Sequence, residues 1–148
     1  MCADQGSPDT GFGVRYLVGR NADAYLQRSG QVRGYSHVIW RGRHVAEVTQ
    51  LSAPEAAGFW LDVVDAARAV QAVCRPVTVN ISVLGNGLPH LHAHLIPRYA
   101  DGDPRPGRPL PHRYLDHGRQ DEALLARCAA DLATFLAARR DGDDVPVA

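Results

Sequence analysis

The segment NGLPHLHAHLIPRY, residues 86–99, constrains the fold of this chain more than any other stretch. Three histidines, His90, His92 and His94, occupy every second position, and apolar residues stand between them. On a β-strand, successive side chains point to opposite faces of the sheet, so the histidines form one row and the apolar residues another. The alternation therefore predicts a strand that turns its apolar side to the core and carries three imidazoles on its other side.

Three explanations account for such a histidine row. A solvated strand face is the least favoured, because histidine is not a preferred strand residue. Neutral imidazole binds zinc, but three consecutive same-face histidines fit poorly around one tetrahedral ion, and no Cys, Asp or Glu nearby completes a ligand set. Imidazole also titrates at about pH 6.5, so at neutral pH it serves as a nucleophile and a proton-transfer group. We favour catalysis and keep metal binding as the alternative.

Cysteine content and charge narrow the class of protein. Cys2, Cys74 and Cys128 are widely separated and odd in number, which predicts neither a disulfide framework nor a thiolate zinc site. Basic and acidic residues number 16 each, so bulk electrostatic binding of DNA or RNA is not expected. The first residues lack the basic start and apolar run of a secretory signal, and no stretch approaches the roughly 18 apolar residues of a membrane span. We expect a cytoplasmic protein with no membrane partner.

Further strands are predicted where β-branched and aromatic residues accumulate, at residues 14–18, 24–27, 34–40 and 77–84. The first two have the spacing of a hairpin. The last should pair antiparallel with the histidine strand across the Gly-Asn-Gly turn between them. These strands place the histidine row within a sheet.

Two helices complete the pattern. Ser52 and Glu55 form a capping box, with Pro54 in the first turn, so a long helix should begin at Ser52 and end before Pro76. Its apolar face is expected at Phe59, Trp60, Val63, Val64, Ala67 and Val70. A second helix is predicted from about residue 121 to about residue 139. The order of elements indicates an α+β domain, with helices packed on a mostly antiparallel sheet.

The chain divides into four parts by composition. We predict a flexible N-terminal tail at 1–12, a catalytic domain at 13–104, a Pro- and Arg-rich loop at 105–120, and a C-terminal helix and tail at 121–148. The loop could fold over the histidines and bring its arginines near a phosphate chain. A disordered connector is the favoured expectation.

The letters HLHAHLI, residues 90–96, resemble the motif of the histidine triad (HIT) family. The flanking LGN and PRY are similar to bacterial members often described as diadenosine polyphosphate hydrolases, and GYSHVIWRGRHVAEVTQLS resembles the family's earlier strand and the lead into its first long helix. The resemblance covers residues 14–104. It implies a HIT-like α+β fold with a five-stranded antiparallel sheet, one long helix after the early strands, a C-terminal helix and a homodimer.

The resemblance also implies a mechanism. Family members are nucleotide hydrolases or transferases acting at the α-phosphate, with His92 as the nucleophile, His90 orienting it, and His94 contacting the phosphate and helping the leaving group. The transferase branch replaces the third histidine with glutamine, so His94 favours hydrolysis of dinucleoside polyphosphates or nucleoside phosphoramidates. No metal or other cofactor is implied. Nucleotidyl transfer or phosphorolysis, and nucleotide binding without turnover, remain the alternatives.

Four other residues are binding candidates through the same resemblance. Asn86 and Gly87 lie where the family contacts phosphates, although a plain turn explains them equally. Gln27 stands where the family has Asp or Asn for the ribose hydroxyls. Arg98 could contact phosphate or pair with a carboxylate.

Supporting residues are expected near the start of the third strand. The family has a Gly-His pair there, and this chain has Gly34-Tyr35 with His37 two residues on. Tyr35 and His37 share one face of the strand, so either could support the triad. His44 also matches a family position, and a solvated turn is its alternative.

Overall fold

The computed structural model describes residues 6–141, which form one five-stranded antiparallel sheet with helices packed on it. The strands are β1 (Gly13–Val18), β2 (Ala22–Gln27), β3 (Ser36–Trp40), β4 (Thr78–Val83) and β5 (His92–Arg98). The helices are α1 (Ala53–Cys74), α2 (Arg113–Asp116) and α3 (Glu122–Asp141), and a short 3₁₀ turn covers Val48–Gln50. This architecture confirms the α+β prediction, including the long helix after the early strands.

The strand order in the sheet is β1-β2-β3-β5-β4, so the last strand in sequence is inserted between β3 and β4. The predicted hairpin of β1 and β2 and the antiparallel pairing of β4 with β5 are both present. In the register of the inner strands, His94 is opposite His37 on β3 and Ser82 on β4. The histidine strand therefore has neighbours on both sides, which limits the movement of its side chains.

One face of the sheet forms the core with α1 and α3. Leu91, Ala93 and Leu95 of the histidine segment are fully buried in this core, as the alternation predicts. The capping box of Ser52 and Glu55 is present at the start of α1, and Arg75 ends the helix in the left-handed conformation. Helices α1 and α3 therefore pack on one face of β5, and the histidines lie on its opposite face.

Two residues of the predicted apolar face of α1 are instead on the surface. Trp60 is 40% exposed and Val64 is 36% exposed. Each follows a fully buried residue, Phe59 or Val63, by one position, which rotates it by roughly 100° around the helix. The stripe of α1 that packs on the sheet is therefore narrower than the sequence pattern indicates.

The predicted tail and loop both make defined contacts where the structure describes them. Residues 6–12 lie against the first two strands: Thr10 Oγ1 bonds with Gly13, and the Thr10 carbonyl accepts a hydrogen bond from Arg28 Nε at 3.0 Å. Residues 1–5, including Cys2, and residues 142–148 of the predicted tails lie outside the described residues.

The segment after β5 folds over the histidine face of the sheet instead of forming a disordered connector. Leu115 of α2 is buried against Tyr35 and Ile96, and Leu110 packs on the same cluster. These apolar contacts, together with hydrogen bonds to a buried arginine of β5, hold a stretch whose composition alone indicates only turns.

Candidate active site

The rings of His37, His92 and His94 form a cluster on the face of the sheet opposite the core. The ring centroids of His92 and His94 are 4.9 Å apart, and those of His37 and His94 are 4.5 Å apart. His37 is also 5.4 Å from His92. Because His37 is opposite His94 in the register of β3 and β5, the pairing of these strands assembles the cluster.

All three triad histidines are buried, with exposed fractions of 2% for His90, 6% for His92 and 5% for His94. The strand itself begins at His92, so His90 lies in the segment just before it. His90 Nε2 is 2.8 Å from the carbonyl oxygen of Trp40, which can only accept, so the ring is anchored to the end of β3. The ring of His44 lies 5.5 Å from that of His90.

His92 is held in one tautomer by the backbone. Its Nδ1 lies 2.7 Å from the carbonyl oxygen of His90. A carbonyl oxygen accepts a hydrogen bond and cannot donate one, so Nδ1 carries the proton and the neutral ring keeps its lone pair on Nε2. His90 therefore orients His92 through its main-chain carbonyl.

Tyr35, His37 and His94 form a hydrogen-bonded triangle behind the triad. The Tyr35 hydroxyl is 2.8 Å from His37 Nε2 and 2.7 Å from His94 Nδ1, and the two nitrogens are 3.0 Å apart. If both nitrogens lacked a proton, their lone pairs would face each other at this distance. One of the two nitrogens therefore carries a proton.

The other ring nitrogen of His37, Nδ1, indicates which of the two facing nitrogens carries the proton. His37 Nδ1 is buried and has no hydrogen-bond partner among the described residues. A proton there would be a buried donor without an acceptor, which is costly, so the proton belongs on His37 Nε2. His94 Nδ1 is then the acceptor, and the neutral His94 ring carries its proton on Nε2. His92 and His94 thus have opposite tautomers, one with an Nε2 lone pair and the other with an Nε2 donor.

Burial keeps this triangle uncharged. Burial, with smaller contributions from His92 and His112, lowers the pKa of His94 to about 4. Burial, followed by the neighbouring His94 and His92, places the pKa of His37 well below its usual value. Burial, with a further contribution from Asp116, raises the pKa of the Tyr35 hydroxyl. At neutral pH, both rings are therefore neutral and the phenol keeps its proton.

Arg98, a candidate phosphate contact, forms its ion pair and hydrogen bonds within the protein. It is buried and forms a bidentate ion pair with Asp103, with distances of 2.7–3.0 Å. Its other donors reach Asn80 and the carbonyls of Arg105 and Arg108. Every N–H of the guanidinium has a protein acceptor, so the contacts of Arg98 match the alternative in which it pairs with a carboxylate.

Gln27 lies at the end of β2 on the same face as the histidine cluster. Tyr25, two residues earlier, is opposite His37 in the β2–β3 register, and alternate residues share a face. Gln27 is buried, and its Nε2 has no hydrogen-bond partner in the part of the chain that the structure describes. An unpaired buried amide needs an explanation, and a ligand oxygen is one that suits its position.

Asn86 and Gly87 lie in an exposed turn between β4 and His90. The turn is connected directly to the triad segment, and both residues are exposed. The structure brings together the three triad histidines with Tyr35 and His37, whereas these two residues remain at the surface.

Sequence reasoning missed His112 and Asp116. His112 Nδ1 is 2.9 Å from Asp116 Oδ2, and the ring centroid of His112 is 6.5 Å from that of His94. The only signal in the sequence is the four-residue spacing of the two side chains, which places them on one side of a helical turn. The fold of the segment after β5 brings this pair to the triad.

Within residues 6–141, no group of three or more His, Cys, Asp or Glu side chains is arranged to hold a metal ion. Among the described helices, none has the length and apolar character needed to cross a membrane.

Comparison with known proteins gives one family and one fold. A family model described as HIT domain matches residues 20–101, which is more than half of the chain. No curated protein sequence gives a significant match.

Several solved structures share the fold at low sequence identity. A hypothetical histidine triad nucleotide-binding protein from Sulfolobus tokodaii has a TM-score of 0.74 at 15% identity, covering 96% of this chain and 95% of that one. A histidine triad protein from Bradyrhizobium japonicum has a TM-score of 0.73 at 18% identity, covering 84% and 90%. A zinc-bound histidine triad family protein from Mycobacterium smegmatis has a TM-score of 0.65 at 22% identity, covering 93% and 95%.

Proposed function

Because the chain belongs to the HIT family, we propose that it is a nucleotide hydrolase that cleaves its substrate at the α-phosphate through a nucleotidyl intermediate on His92. One observation carries the proposal: the hydrogen bond from His92 Nδ1 to the His90 carbonyl leaves the Nε2 lone pair available for attack on phosphorus. A backbone acceptor on a buried segment holds the ring in one orientation, which is the preorganisation that a covalent step needs.

The reaction has two steps. His92 Nε2 attacks the α-phosphorus, so an N–P bond forms and the bond from phosphorus to the leaving group breaks. A water molecule then attacks the same phosphorus, the N–P bond breaks, and the nucleoside monophosphate is released. The free imidazole is restored, so the cycle consumes one water for each substrate.

His94 stabilises the phosphate in both steps. The Tyr35–His37 triangle directs its Nδ1 lone pair inward and its Nε2 proton outward, so the ring presents one donor to a phosphate oxygen. A fixed donor of this kind stabilises the negative charge that develops in the transition state. Because the Nε2 of neutral His94 carries a proton, it has no free lone pair and does not compete with His92 as a nucleophile.

His112 supplies the proton for the leaving group. Asp116 accepts the hydrogen bond from His112 Nδ1 and orients the ring, as carboxylates do in other imidazole–carboxylate pairs. The pair lies on the segment after β5, beside His94. Because the triad rings are buried, substrate entry requires an outward displacement of this segment, which returns His112 to the site on closure.

The proposed substrates are dinucleoside polyphosphates and nucleoside phosphoramidates. The unpaired Gln27 amide on the triad face is proposed to bind the ribose hydroxyls. Asn86 and Gly87 are proposed to contact the phosphates when the turn closes on a bound substrate. The Gln27 assignment gives a binding role to an amide nitrogen that has no partner among residues 6–141.

A substrate panel with an intermediate trap tests the proposal. Diadenosine and diguanosine polyphosphates and adenosine and guanosine phosphoramidates are mixed with the enzyme, and rapid acid-free quenching is followed by peptide mapping. The expected result is a nucleoside monophosphate attached to the peptide that contains His92. Turnover without any such adduct, or an adduct on another residue, would overturn the assignment of the nucleophile.

The acceptor in the second step separates hydrolysis from transfer. In oxygen-labelled water, hydrolysis places the label on the released monophosphate. If turnover instead requires added inorganic phosphate and yields the nucleoside diphosphate, the enzyme is a phosphorylase of the same family. Tight nucleotide binding with no product from any substrate would indicate a binding module.

We also propose that the chain forms a homodimer. Strand β4 is at the edge of the sheet, with Ile81 partly exposed, and the neighbouring helix α1 exposes Trp60 and Leu61. An unpaired edge strand beside exposed apolar side chains is typical of a protein–protein interface. Sedimentation velocity is expected to show a dimer that Leu61→Glu converts to a monomer, and a monomeric wild type would contradict the proposal.

A further inference from the structure

Two thiols that are far apart in the sequence are in contact in the fold. Cys74 is the last residue of α1 and Cys128 lies in α3, and their Sγ atoms are 3.8 Å apart. Both are free thiols in this structure. We propose that Cys74 and Cys128 form a reactive dithiol that hydroperoxides oxidise to a reversible disulfide within the chain.

The distance and the packing support this pairing. At 3.8 Å the two sulfur atoms are in van der Waals contact, and the contact lies where α1 and α3 pack against each other. Closing to a disulfide length of about 2.05 Å shortens this distance through rotation of the two side chains and a shift of the helices. The bond would join two helices that are held together only by noncovalent packing.

A cavity provides a route for a small oxidant. It has a volume of about 490 Å³, is open to solvent, and has Cys128, Arg33 and Arg127 in its lining. Cys74 itself is buried behind Cys128, and its sulfur contacts the Cys128 sulfur. A hydroperoxide molecule in this cavity therefore reaches the pair from the Cys128 side.

The surroundings favour loss of one proton from the thiol pair. The hydrogen bond between the two sulfurs lowers the pKa of the Cys74 thiol; burial opposes this effect, and the Arg33 guanidinium adds to it. Arg33 is fixed in place because it donates to the Cys74 carbonyl at 2.9 Å. The two thiols share one hydrogen bond, so the proton can pass from Cys128 to Cys74; Cys128, which lines the cavity, is then the attacking sulfur and Cys74 the resolving sulfur.

The chemistry balances with a hydroperoxide as the oxidant. The Cys128 thiolate attacks one peroxide oxygen and the O–O bond breaks, which gives a sulfenic acid on Cys128 and releases an alcohol, or water from hydrogen peroxide. The Cys74 sulfur then attacks the Cys128 sulfur, the S–O bond breaks and water leaves. The two thiols lose two electrons and two protons, and the peroxide gains them.

The experiment uses the full chain with Cys2→Ser, so that Cys74 and Cys128 are the only thiols. The folded protein is treated with hydrogen peroxide, denatured in the presence of N-ethylmaleimide and weighed by mass spectrometry. The expected product has lost both maleimide additions and the mass of two hydrogens, and dithiothreitol restores both additions. Peptide mapping should identify a disulfide-linked pair of peptides that contain Cys74 and Cys128.

A matched variant tests the order of events. In Cys2→Ser with Cys74→Ser, the linked product should disappear and dimedone should trap a sulfenic acid on Cys128; Cys74→Ala serves if the serine variant does not fold. The proposal is overturned if both thiols of the Cys2→Ser protein remain alkylatable after peroxide treatment, or if the only disulfides join two chains.

Discussion

Strand β5 has a buried polar cluster at each end, and the two clusters differ in how completely their polar atoms are paired. At the end with Arg98, every guanidinium donor has an acceptor within the protein. At the end with His92 and His94, the internal hydrogen bonds use the Nδ1 atoms and direct the Nε2 atoms away from the scaffold. A buried polar cluster that is fully paired stabilises the fold, whereas one with an oriented atom left over is prepared for a ligand.

The largest expected effect comes from removing the proposed nucleophile. His92→Ala should lower kcat by roughly 10⁴-fold or more, because no other group replaces its Nε2. Nucleotide binding, measured by calorimetry, and the thermal midpoint should change little. His117→Ala is the control, because His117 is exposed and has no part in the proposed mechanism. A variant that kept wild-type turnover would show that the His92 end of β5 is not the reactive one.

The opposite end of β5 should respond in stability and not in catalysis. Arg98→Met leaves the Asp103 carboxylate without its cation, and the free energy of unfolding should fall. The double variant Arg98→Met with Asp103→Leu should recover part of this loss. Urea unfolding and steady-state kinetics on the folded fraction are the measurements. Unchanged stability with a raised KM would restore Arg98 as a phosphate contact.

The buried His94 at the histidine end of β5 should make the free energy of unfolding decrease in acid. The pKa of His94 is lowered to about 4 in the fold, against an ordinary value of about 6.5 in the unfolded chain. The unfolded chain therefore binds more protons between these values, and the stabilisation is complete above pH 6.5 and is lost as pH falls toward 4. The loss from this group is of order 3 kcal/mol.

His94→Gln is the variant that isolates this effect. It removes the titrating ring, so the slope of unfolding free energy against pH between 4 and 6.5 should become shallower. Urea unfolding at several pH values measures the slope. If the wild type and the variant have parallel profiles, His94 is not the neutral, buried group that the hydrogen-bonded triangle requires.

A smaller effect on kcat is expected at the imidazole–carboxylate pair of His112 and Asp116. His112→Asn should lower kcat roughly 10²-fold for phosphoramidates of alkyl amines, whose leaving group must be protonated. Nucleotide esters of acidic phenols, which leave without a proton, should be cleaved at close to the wild-type rate. Equal losses for both substrate classes would assign His112 to binding and not to proton transfer.

The smallest single effects are expected at Tyr35 and His37, because each can orient His94 without the other. In Tyr35→Phe, His37 Nε2 still reaches His94 Nδ1, and in His37→Leu the Tyr35 hydroxyl does so. Each variant should lower kcat by only about 3–10-fold, and the double variant by more than the product of the two. Simple multiplication of the two losses would mean that the residues act independently.

Much of the fold was predictable from local patterns. The alternation at residues 90–96 gave the strand and its core face, and the capping box at Ser52 gave the start of α1. These signals are short-range: they depend on the two-residue period of a strand and on hydrogen bonds within one helical turn, which any single sequence displays. The width of the buried stripe on α1 was not predictable, because the sheet beneath it decides whether Trp60 is covered.

The candidate site divides in the same way. The sequence by itself determined that three imidazoles project from one side of a strand, because side-chain direction there depends only on position parity. The tertiary structure alone decided which nitrogen of His92 and of His94 is held by the protein, that Arg98 is paired with Asp103, that His112 reaches His94, and that Cys74 contacts Cys128. Each of these outcomes depends on a partner many residues away or on burial. A pattern along the chain carries no information about a hydrogen-bond acceptor that only folding brings within 3 Å.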